Sequence, residues 1–494
     1  MNYYSTRSEK INGKSAAAAI KQGLAEDGGL FMPDEIPALT KEKIEELCKL
    51  DYAHRAAYVL SLYLNDYSYD ELLEDCTKAY GEDRFPGGAA PLVKLDDTLS
   101  MLELWHGPTS AFKDMALQIM PRLLSRALVK TGEKRTAFIL VATSGDTGKA
   151  ALEGYRDVEG VKISVFYPVD GVSRIQKLQM ATQAGDNVFV SAVRGNFDDA
   201  QNGVKRIFSD KEAAVDFDKA GYFLSSANSI NWGRLAPQIA YYVSAYCDLV
   251  NRGDITIGEE MNVCVPTGNF GNIFAAYLAK LMGLPIGRFI CASNTNNILT
   301  DFLKTGTYDR NRDFHTTMSP SMDILISSNL ERLLYLLAGH ERTAGYMKAL
   351  VENGVYTVDA DVKAKIDADF VGLFTSECET SETIKSTFEE KGYLCDTHTA
   401  VALHCAREYL AESGDKRPLV IASTASPYKF ASNVLRSVKG EAPADEFEAV
   451  DTLNAVSGMP VPEGLASLKE KQVRFDSVID ADAMLSAVYG EMGI

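Results

Sequence analysis

The repeated alternation of short apolar strands with amphipathic helices is the feature that most constrains the fold. Six runs rich in β-branched and other apolar residues are each six to eight residues long, and turn residues bound them. Most are followed by a stretch with apolar residues three and four apart, as in a helix. Strands that alternate with helices form βαβ units on parallel sheets, so the sequence predicts an α/β fold. The predicted strands are AFILVAT (137–143), KISVFYPV (162–169), NVFVSAV (187–193), NVCVPT (262–267), RFICAS (288–293) and PLVIAST (418–424).

The first part of the chain has a different pattern. Between about residues 12 and 95, three stretches carry apolar residues at helical spacing, and they include KEKIEELCKL and HRAAYVLSLYL. The full 494 residues exceed what one hydrophobic core usually supports, so we expect several lobes around a ligand cleft. The predicted parts are a mainly helical lobe (1–95), a larger α/β lobe (96–113 and 225–440), a smaller α/β lobe (114–224) and a C-terminal extension (441–494) that packs on the larger lobe.

Composition excludes several classes of function. The net charge of −18 creates a field that repels nucleic acid and anionic membranes, so any anionic ligand must be held by local groups. No apolar run has the length of a membrane span, and the N-terminus lacks the apolar core of a signal peptide. The eight cysteines form no CxxC pair, and the six histidines show no metal-ligand spacing. We therefore expect a cytoplasmic protein with no metal, no nucleic-acid or membrane partner and no obligate protein partner.

The segment GPTSAFKD (107–114) places Lys113 at the start of a predicted helix, whose apolar residues run from Ala116 to Leu128. The positive end of the helix dipole disfavours an ammonium group there, and burial would also favour the neutral amine. A neutral lysine can act as a base or bond covalently to a carbonyl compound. Taken alone, Lys113 is more simply explained as a surface lysine paired with Asp114.

Two further turns that contain glycine follow predicted strands and precede predicted helices. They are ATSGDTG (142–148) and VPTGNFGN (265–272). Hydroxyl groups and free N–H groups at a helix start bind carboxylates and phosphates, and glycines let the backbone approach the anion. Each turn alone could be purely structural, and neither matches a nucleotide-binding motif. Together with Lys113, however, they would accommodate pyridoxal phosphate joined to lysine beside the carboxylate of an amino acid.

These three segments, in this order and separation, resemble fold-type II pyridoxal-phosphate enzymes. NSINWGRL (228–235) and SMDILISSNLER (321–332) are similar to threonine synthases in particular, and SRIQKLQM (173–180) and STASPYKF (423–430) are also similar to that family. The resemblance extends over nearly the full chain. It implies two parallel-sheet α/β lobes around a cleft, a helical N-terminal lobe and pyridoxal 5'-phosphate as the cofactor.

The resemblance also implies roles for single residues. Lys113 would bond to the cofactor and act as the catalytic base, and Thr424 would face the pyridine nitrogen. Two positions depart from the usual pattern, because many relatives carry Asn where Asp146 stands and His where Ser426 stands. The remaining implied cofactor-binding residues are Gly268, Asn269, Phe270, Gly271 and Asn272, and the implied substrate-binding residues are Ser144, Asp146, Thr147, Asn228, Ser229 and Arg234.

The implied reaction removes phosphate from O-phosphohomoserine and adds water at Cβ to give threonine. One alternative is a phospho-lyase that converts the same substrate into 2-oxobutyrate. Another is a β-replacing or dehydrating enzyme acting on serine or threonine, which would not require Arg234, Asn228 and Ser229 to bind a phosphate. A third is a non-catalytic protein with a decayed site, and the intact Lys113 argues against it.

Overall fold

The computed structural model describes residues 1–143, 145–170 and 172–494. Its N-terminal region is mainly helical, as the periodicity predicted, and one short antiparallel strand pair, β1 with β2, accompanies the helices. Ser, Thr or Asp side chains cap the starts of these helices by accepting a backbone hydrogen bond. The elements are β1 (Tyr3–Ser5), α1 (Ala16–Gln22), β2 (Phe31–Pro33), α2 (Lys41–Leu47), α3 (Tyr52–Tyr63) and α4 (Tyr69–Tyr80).

The helix predicted after Lys113 is in fact two helices. Strands β3 (Leu92–Lys94) and β4 (Leu99–Glu103) precede them, and they are the four-residue α5 (Asp114–Leu117) and α6 (Met120–Lys130). Pro121 lies in the first turn of α6. Because proline has no N–H group and its ring clashes with the carbonyl four residues earlier, a continuous helix cannot pass this point.

The following segment builds a parallel sheet in which β7, β6, β5 and β8 are neighbours in that order. Helices connect successive strands, as expected for βαβ units. Three of the predicted strands, at 137–143, 162–169 and 187–193, lie in this sheet. The elements are β5 (Thr136–Ala142), α7 (Asp146–Tyr155), β6 (Val161–Pro168), α8 (Arg174–Ala181), β7 (Val188–Arg194), α9 (Phe197–Ser209), α10 (Lys211–Lys219) and β8 (Tyr222–Ser225).

A second sheet contains the other three predicted strands. Its order is β13-β10-β9-β14-β4-β3, and its strands are parallel except for the antiparallel edge strand β3. Strands β11 (Thr307–Asp309) and β12 (Val355–Thr357) form a separate antiparallel pair. The other elements of this region are α11 (Trp232–Leu235), α12 (Pro237–Arg252), β9 (Met261–Pro266), α13 (Gly271–Leu281), β10 (Ile286–Ser293), α14 (Ile298–Thr305), α15 (Leu330–Ala338), α16 (His340–Asn353), α17 (Ala360–Asp369), β13 (Phe370–Phe374), α18 (Glu377–Lys391), α19 (Thr397–Ser413), β14 (Leu419–Ser423) and α20 (Ala431–Lys439), with short 3₁₀ helices at Pro320–Met322 and Pro427–Phe430.

The C-terminal extension, which the sequence predicted to pack on the larger lobe, contacts both sheet regions. Helix α21 (Glu446–Ser457) packs against α20. After α22 (Glu463–Ala466) and a 3₁₀ helix at Ser467–Glu470, strand β15 (Val478–Asp480) pairs in parallel with β7, and α23 (Met484–Met492) packs on α9. The extension thus covers the edge of β7, which would otherwise expose unpaired backbone groups.

The predicted α/β fold with parallel sheets is confirmed, because each of the six predicted strands is present and five of the strands in the second sheet run parallel. In the described parts of the chain, no helix has the length and apolar character needed to cross a membrane.

Candidate active site

The loop after β4 fixes Lys113 directly before α5. The carboxyl group of Asp114, the first residue of α5, accepts hydrogen bonds from the backbone N–H and the hydroxyl of Thr109, both at 2.8 Å. The N–H of Phe112 donates to the carbonyl of Thr424 at 2.8 Å, just beyond the end of β14. The loop is therefore anchored on both sides of its tip, and Phe112, the residue before Lys113, contacts Thr424.

The amine of Lys113 lies in a buried, polar environment. Its Nζ donates to the hydroxyl of Ser321 at 3.2 Å and lies 3.6 Å from Oδ2 of Asp146. Burial lowers the pKa of Lys113; the Asp146 carboxylate opposes this effect, and the cations Lys429 and Arg234 reinforce it. Because α5 has only four residues, its dipole is small, and burial is the main reason for the lowered pKa.

Asp146 is held as a carboxylate between two lysines. Its Oδ1 accepts from Nζ of Lys429 at 2.8 Å and from Nε2 of Gln176 at 2.9 Å, and its Oδ2 faces Lys113. Burial opposes the ionisation of this carboxyl group, but the two lysines and Gln176 outweigh it and hold the pKa of Asp146 far below its usual range. The site therefore favours Asp146 as a carboxylate.

The turn that carries Asp146 needs glycine. Gly145 has a φ of 143°, and a Cβ atom there would lie 2.5 Å from the side chain of Gln176. The hydroxyl of Thr143 accepts from the N–H groups of Gly145 and Gly148, both at 3.0 Å, and so fixes the turn. Thr147 lies half-buried in the first turn of α7, next to Asp146. The predicted substrate residue Ser144 lies outside the described residues.

The loop between β9 and α13 offers free hydrogen-bond donors. Phe270 precedes α13 with a φ of 62°, and in the described chain no side chain caps the first turn of this helix. Oδ1 of Asn272 accepts from Tyr242 at 2.5 Å and lies 2.7 Å from the hydroxyl of Tyr241, whereas its buried Nδ2 has no partner among the described residues. These donors at the start of a helix suit a phosphate group.

The segment 321–332 packs directly on this loop. A Cβ atom on Gly268 would lie 2.7 Å from the carbonyl of Ser321, so only glycine allows the approach. Asn329 donates to the carbonyl of Asn269 through its N–H and its Nδ2, both at 3.0 Å. Since Ser321 also accepts from Lys113, this segment joins the predicted phosphate loop to the lysine.

Arg332 connects the same segment to two distant parts of the chain. Its buried guanidinium donates to the carbonyls of Ile230 at 2.6 Å and Phe31 at 3.2 Å, and to the side chain of Asn329. Ile230 lies in NSINWGRL, the predicted substrate segment. Arg332 therefore links the predicted substrate segment to Asn329, which in turn contacts the predicted phosphate loop.

Arg234, on α11, is a buried cation that forms no ion pair with any carboxylate among the described residues. One guanidinium nitrogen donates to the carbonyl of Ala227 at 2.5 Å, but among the described residues Nε has no hydrogen-bond partner and no carboxylate forms an ion pair with this side chain. Burial lowers the pKa of Arg234 to about 10. Asn228, which is exposed, and Ser229, which is half-buried, lie in the turn before α11.

Three protein-family models match successive parts of the chain. They are "Threonine synthase N terminus" (residues 2–80), "Pyridoxal-phosphate dependent enzyme" (86–424) and "Threonine synthase, C-terminal" (399–488). A threonine synthase from Pseudomonas aeruginosa is 39% identical over 452 residues, which cover 90% of this chain and 92% of that protein. This chain belongs to the threonine synthase family.

Solved structures of the family agree with this assignment. Threonine synthase from yeast has a TM-score of 0.89 at 36% identity and covers 100% of this chain and 99% of its own. Pyridoxal-phosphate-bound threonine synthase from Brucella melitensis has a TM-score of 0.88 at 35% identity over 100% of both chains. The human protein called threonine synthase-like 1 is 39% identical over 96% of this chain, but the chain spans only 65% of that protein's length. The resemblance and the fold expected from it are confirmed.

Within this threonine synthase fold, the structure brings Lys113, Asp146, Thr424 and the 268–272 loop to one site, and it places Arg234 close enough to influence Lys113. The exposed side chain of Asn228 makes no such contact in the described residues, so its binding role stays a prediction. Sequence reasoning missed Ser321, Gln176 and Lys429 as residues around Lys113 and Asp146. Each lies within a segment that resembles the family, and that resemblance was the available signal.

Proposed function

We propose that this chain is a threonine synthase, which uses pyridoxal 5'-phosphate bonded to Lys113 to convert O-phosphohomoserine and water into threonine and phosphate. Membership of the threonine synthase family supports the reaction. The buried, unpaired Arg234 supports a substrate that carries an anionic group, and it is the observation on which the substrate assignment depends. This chain spans 65% of the length of the human relative, so we propose the activity for this chain from its own residues.

The burial of Arg234 favours an anionic ligand beside it. Moving a guanidinium group out of water costs several kcal/mol unless hydrogen bonds and an opposite charge replace the water. Among the described residues, Arg234 has a backbone carbonyl as its acceptor and no carboxylate. A phosphate group matches the paired donors of arginine and would supply the missing charge. A substrate without a phosphate, such as free serine or threonine, would leave Arg234 unpaired.

The residues near the start of α13 fit the phosphate of the cofactor. The uncapped first turn and the free Nδ2 of Asn272 would donate hydrogen bonds to it, and Gly268 allows the loop to lie tightly against Ser321. Thr424 would face the pyridine nitrogen. When bound, pyridoxal phosphate withdraws electrons from the α-carbon of an amino acid and so makes its protons acidic.

Lys113 would carry the protons in this reaction. Its buried amine has a lowered pKa, so Nζ is neutral more often than that of a surface lysine and can accept a proton from Cα of the substrate. Removal of a proton from Cβ, for which Nζ can act again as the base, lets the phosphate leave from Cγ, and the same Nζ can then deliver a proton to Cγ. Ser321, at 3.2 Å, provides an acceptor that orients the amine between these transfers.

Arg234 would stabilise the leaving phosphate. Charge builds up on the departing phosphate oxygens, and a cation already in place stabilises that charge without rearrangement. Ser229 and Asn228 lie three residues or fewer before Asn231, which caps α11, and we propose that they add hydrogen bonds to the same group. Ser144 and Thr147 would contact the substrate from the start of α7. The departed phosphate is the base that we propose for activating water.

The test is a phosphate-release assay on purified protein with O-phosphohomoserine, with amino acid analysis of the product and Lys113→Ala as a control. We expect equal amounts of threonine and phosphate, and no turnover by the variant. Phosphate with 2-oxobutyrate would instead assign a phospho-lyase. Absence of phosphate release would refute the substrate assignment.

We also propose that the protein acts in the cytoplasm and has no obligate protein, nucleic-acid or membrane partner. The eight cysteines are free, most of them buried, which fits a reducing compartment. Fractionation of cells that express the protein, followed by immunoblotting, tests the location.

A further inference from the structure

Lys429 is a buried lysine that sequence reasoning did not assign to the site. Its side chain is completely shielded from solvent, and it lies in the 3₁₀ helix Pro427–Phe430 that follows β14. Its Nζ contacts Oδ1 of Asp146 at 2.8 Å, the carbonyl of Thr109 at 3.0 Å and Oε1 of Gln179 at 3.3 Å. It therefore joins a strand end of the larger sheet to α7, to α8 and to the loop that carries Lys113.

The two lysines share the Asp146 carboxylate unequally. Lys429 lies 2.8 Å from Oδ1, whereas Lys113 lies 3.6 Å from Oδ2, beyond hydrogen-bond distance. The closer contact satisfies the charge of Lys429 and leaves Lys113 with the weaker pairing. The other cation that acts on Lys113 is Arg234, and the other carboxyl group near Lys429 is Asp114, whose pKa burial raises to about 6.

We propose that Lys429 is a positioning residue for Lys113. Its ammonium group forms the closer ion pair with Asp146 and holds that carboxylate beside Lys113, and Lys113 remains the reactive amine of the two lysines. The inference rests on the proposed function, in which Lys113 bonds to the cofactor. It explains why this chain can carry a carboxylate at position 146, since Lys429 neutralises the charge that would otherwise keep Lys113 protonated.

Replacing Lys429 by the neutral, similarly shaped methionine has two effects on Lys113, and they act in the same direction. The variant loses a positive charge that disfavours the ammonium form of Lys113, and Asp146 becomes free to pair with Lys113 alone. Both changes favour protonated Lys113. The amine of Lys113 should therefore become reactive only at a higher pH in Lys429→Met.

The experiment measures covalent attachment of pyridoxal phosphate to the full-length chain after the cofactor has been removed. The attachment rate is followed by absorbance from pH 6 to 10. Below the pKa of Lys113, a change of about one unit in that pKa changes the neutral fraction of the amine about tenfold. Borohydride reduction and peptide mass analysis locate the modified lysine. We expect the midpoint of the rate profile to rise by about one pH unit or more in Lys429→Met, which slows attachment about tenfold below the midpoint.

Lys149→Met is the matched control. Lys149 is also a buried lysine on α7, but it pairs with Glu153 at 3.3 Å and makes no described contact with Lys113 or Asp146. Lys149→Met therefore also removes a buried ammonium group, but one that does not contact Lys113. We expect Lys149→Met to keep the wild-type midpoint, and Lys429→Arg, which retains the charge, to restore most of the wild-type profile.

A folded Lys429→Met protein with the wild-type midpoint would overturn the inference. If circular dichroism shows that this variant does not fold, Asp146→Asn is measured instead. Loss of the carboxylate should lower the midpoint of the rate profile. An unchanged or higher midpoint would contradict the inference. Failure of the wild-type chain to attach pyridoxal phosphate at Lys113 would instead refute the proposed function itself.

Discussion

An added methyl group at Gly154, which lies outside the candidate active site, should displace the helices that position Lys113 and Asp146. It lies on α7, and a Cβ atom there would lie 1.9 Å from the carbonyl oxygen of Leu117 and 2.9 Å from its carbon. That carbonyl cannot accept the usual helical hydrogen bond, because Pro121, four residues later, has no N–H group to donate. The proline break in the helix after Lys113 and the glycine on α7 therefore allow α5 and α7 to pack closely.

The expected cost of Gly154→Ala follows from this distance. Ordinary contacts between carbon and carbonyl oxygen begin at about 3.3 Å, so α5 and α7 must separate by about 1 Å or more. Overpacking costs about 1–3 kcal/mol and more when backbone must move, whereas the better helix propensity of alanine returns about 1 kcal/mol. Because the clash is with backbone, the cost lies at or above the upper end of this range, and we expect a net loss of about 2 kcal/mol or more in the free energy of unfolding.

The same movement should reduce activity, since α5 follows Lys113 and α7 begins with Asp146. Misplacement of a catalytic group by about 1 Å can cost on the order of 100-fold in rate, so we expect a fall of about 10- to 100-fold in kcat. Stability is measured by urea unfolding followed by circular dichroism. The control is Gly345→Ala in α16, where a Cβ atom has open space, and it should stabilise by up to about 1 kcal/mol. If Gly154→Ala were as stable as Gly345→Ala, the proposed contact between α5 and α7 would be wrong.

Three further predictions concern other parts of the chain. Arg234→Gln should lower kcat/KM for O-phosphohomoserine by about 100-fold or more, equivalent to about 3 kcal/mol, while the absorbance of the bound cofactor stays unchanged; wild-type kinetics would rule out a phosphate contact. Gly268→Ala should weaken cofactor binding by about tenfold or more in a fluorescence titration, because its Cβ atom would meet the carbonyl of Ser321 at 2.7 Å; equal affinity would show that the loop can move aside. Burial raises the pKa of Glu491 from 4.5 to about 7, so the folded state keeps a proton that the unfolded chain has lost, and wild-type stability should fall as the pH rises from 4.5 through 7. Glu491→Gln should remove this fall, worth about 3 kcal/mol at pH 8, and identical pH profiles for the two proteins in thermal unfolding would contradict it.

The strands that the sequence predicted are rich in residues that favour strands locally, and two of the missed strands depart from that pattern in different ways. Val, Ile and Phe dominate the six predicted runs, and such residues favour strands locally. Strand β4, which leads to Lys113, reads LSMLE and contains no β-branched residue, yet all five of its residues are buried. Strand β13 contains Gly372, which approaches α14 closely. These two strands depend on the sheet beside them, which sequence patterns do not display.

The site was predictable where its chemistry is local. Lys113 and the glycine turns at 145–148 and 268–271 are each encoded in a few consecutive residues, and the resemblance gave them roles. Ser321 is 208 residues from Lys113, and its contact with the amine depends on how segment 321–332 crosses the loop after β9. The contact of Lys429 with Asp146 also depends on the tertiary structure, because Asp146 belongs to the other sheet region.

The charges around Lys113 explain how an acidic protein can select anionic ligands. The net charge of −18 belongs to the whole chain, and salt screens exposed charges beyond about 8 Å at physiological ionic strength. Within the site, Lys429 and Arg234 are buried and Lys113 is 12% exposed; among the described residues Asp146 forms ion pairs with the two lysines, and Arg234 forms none. Because buried charges are screened little, a ligand that has entered the site experiences a positive field although the surface is negative. A cofactor phosphate and a substrate phosphate would each replace solvation that these cations lose on folding, so the same ligands that the site selects should also stabilise the folded chain.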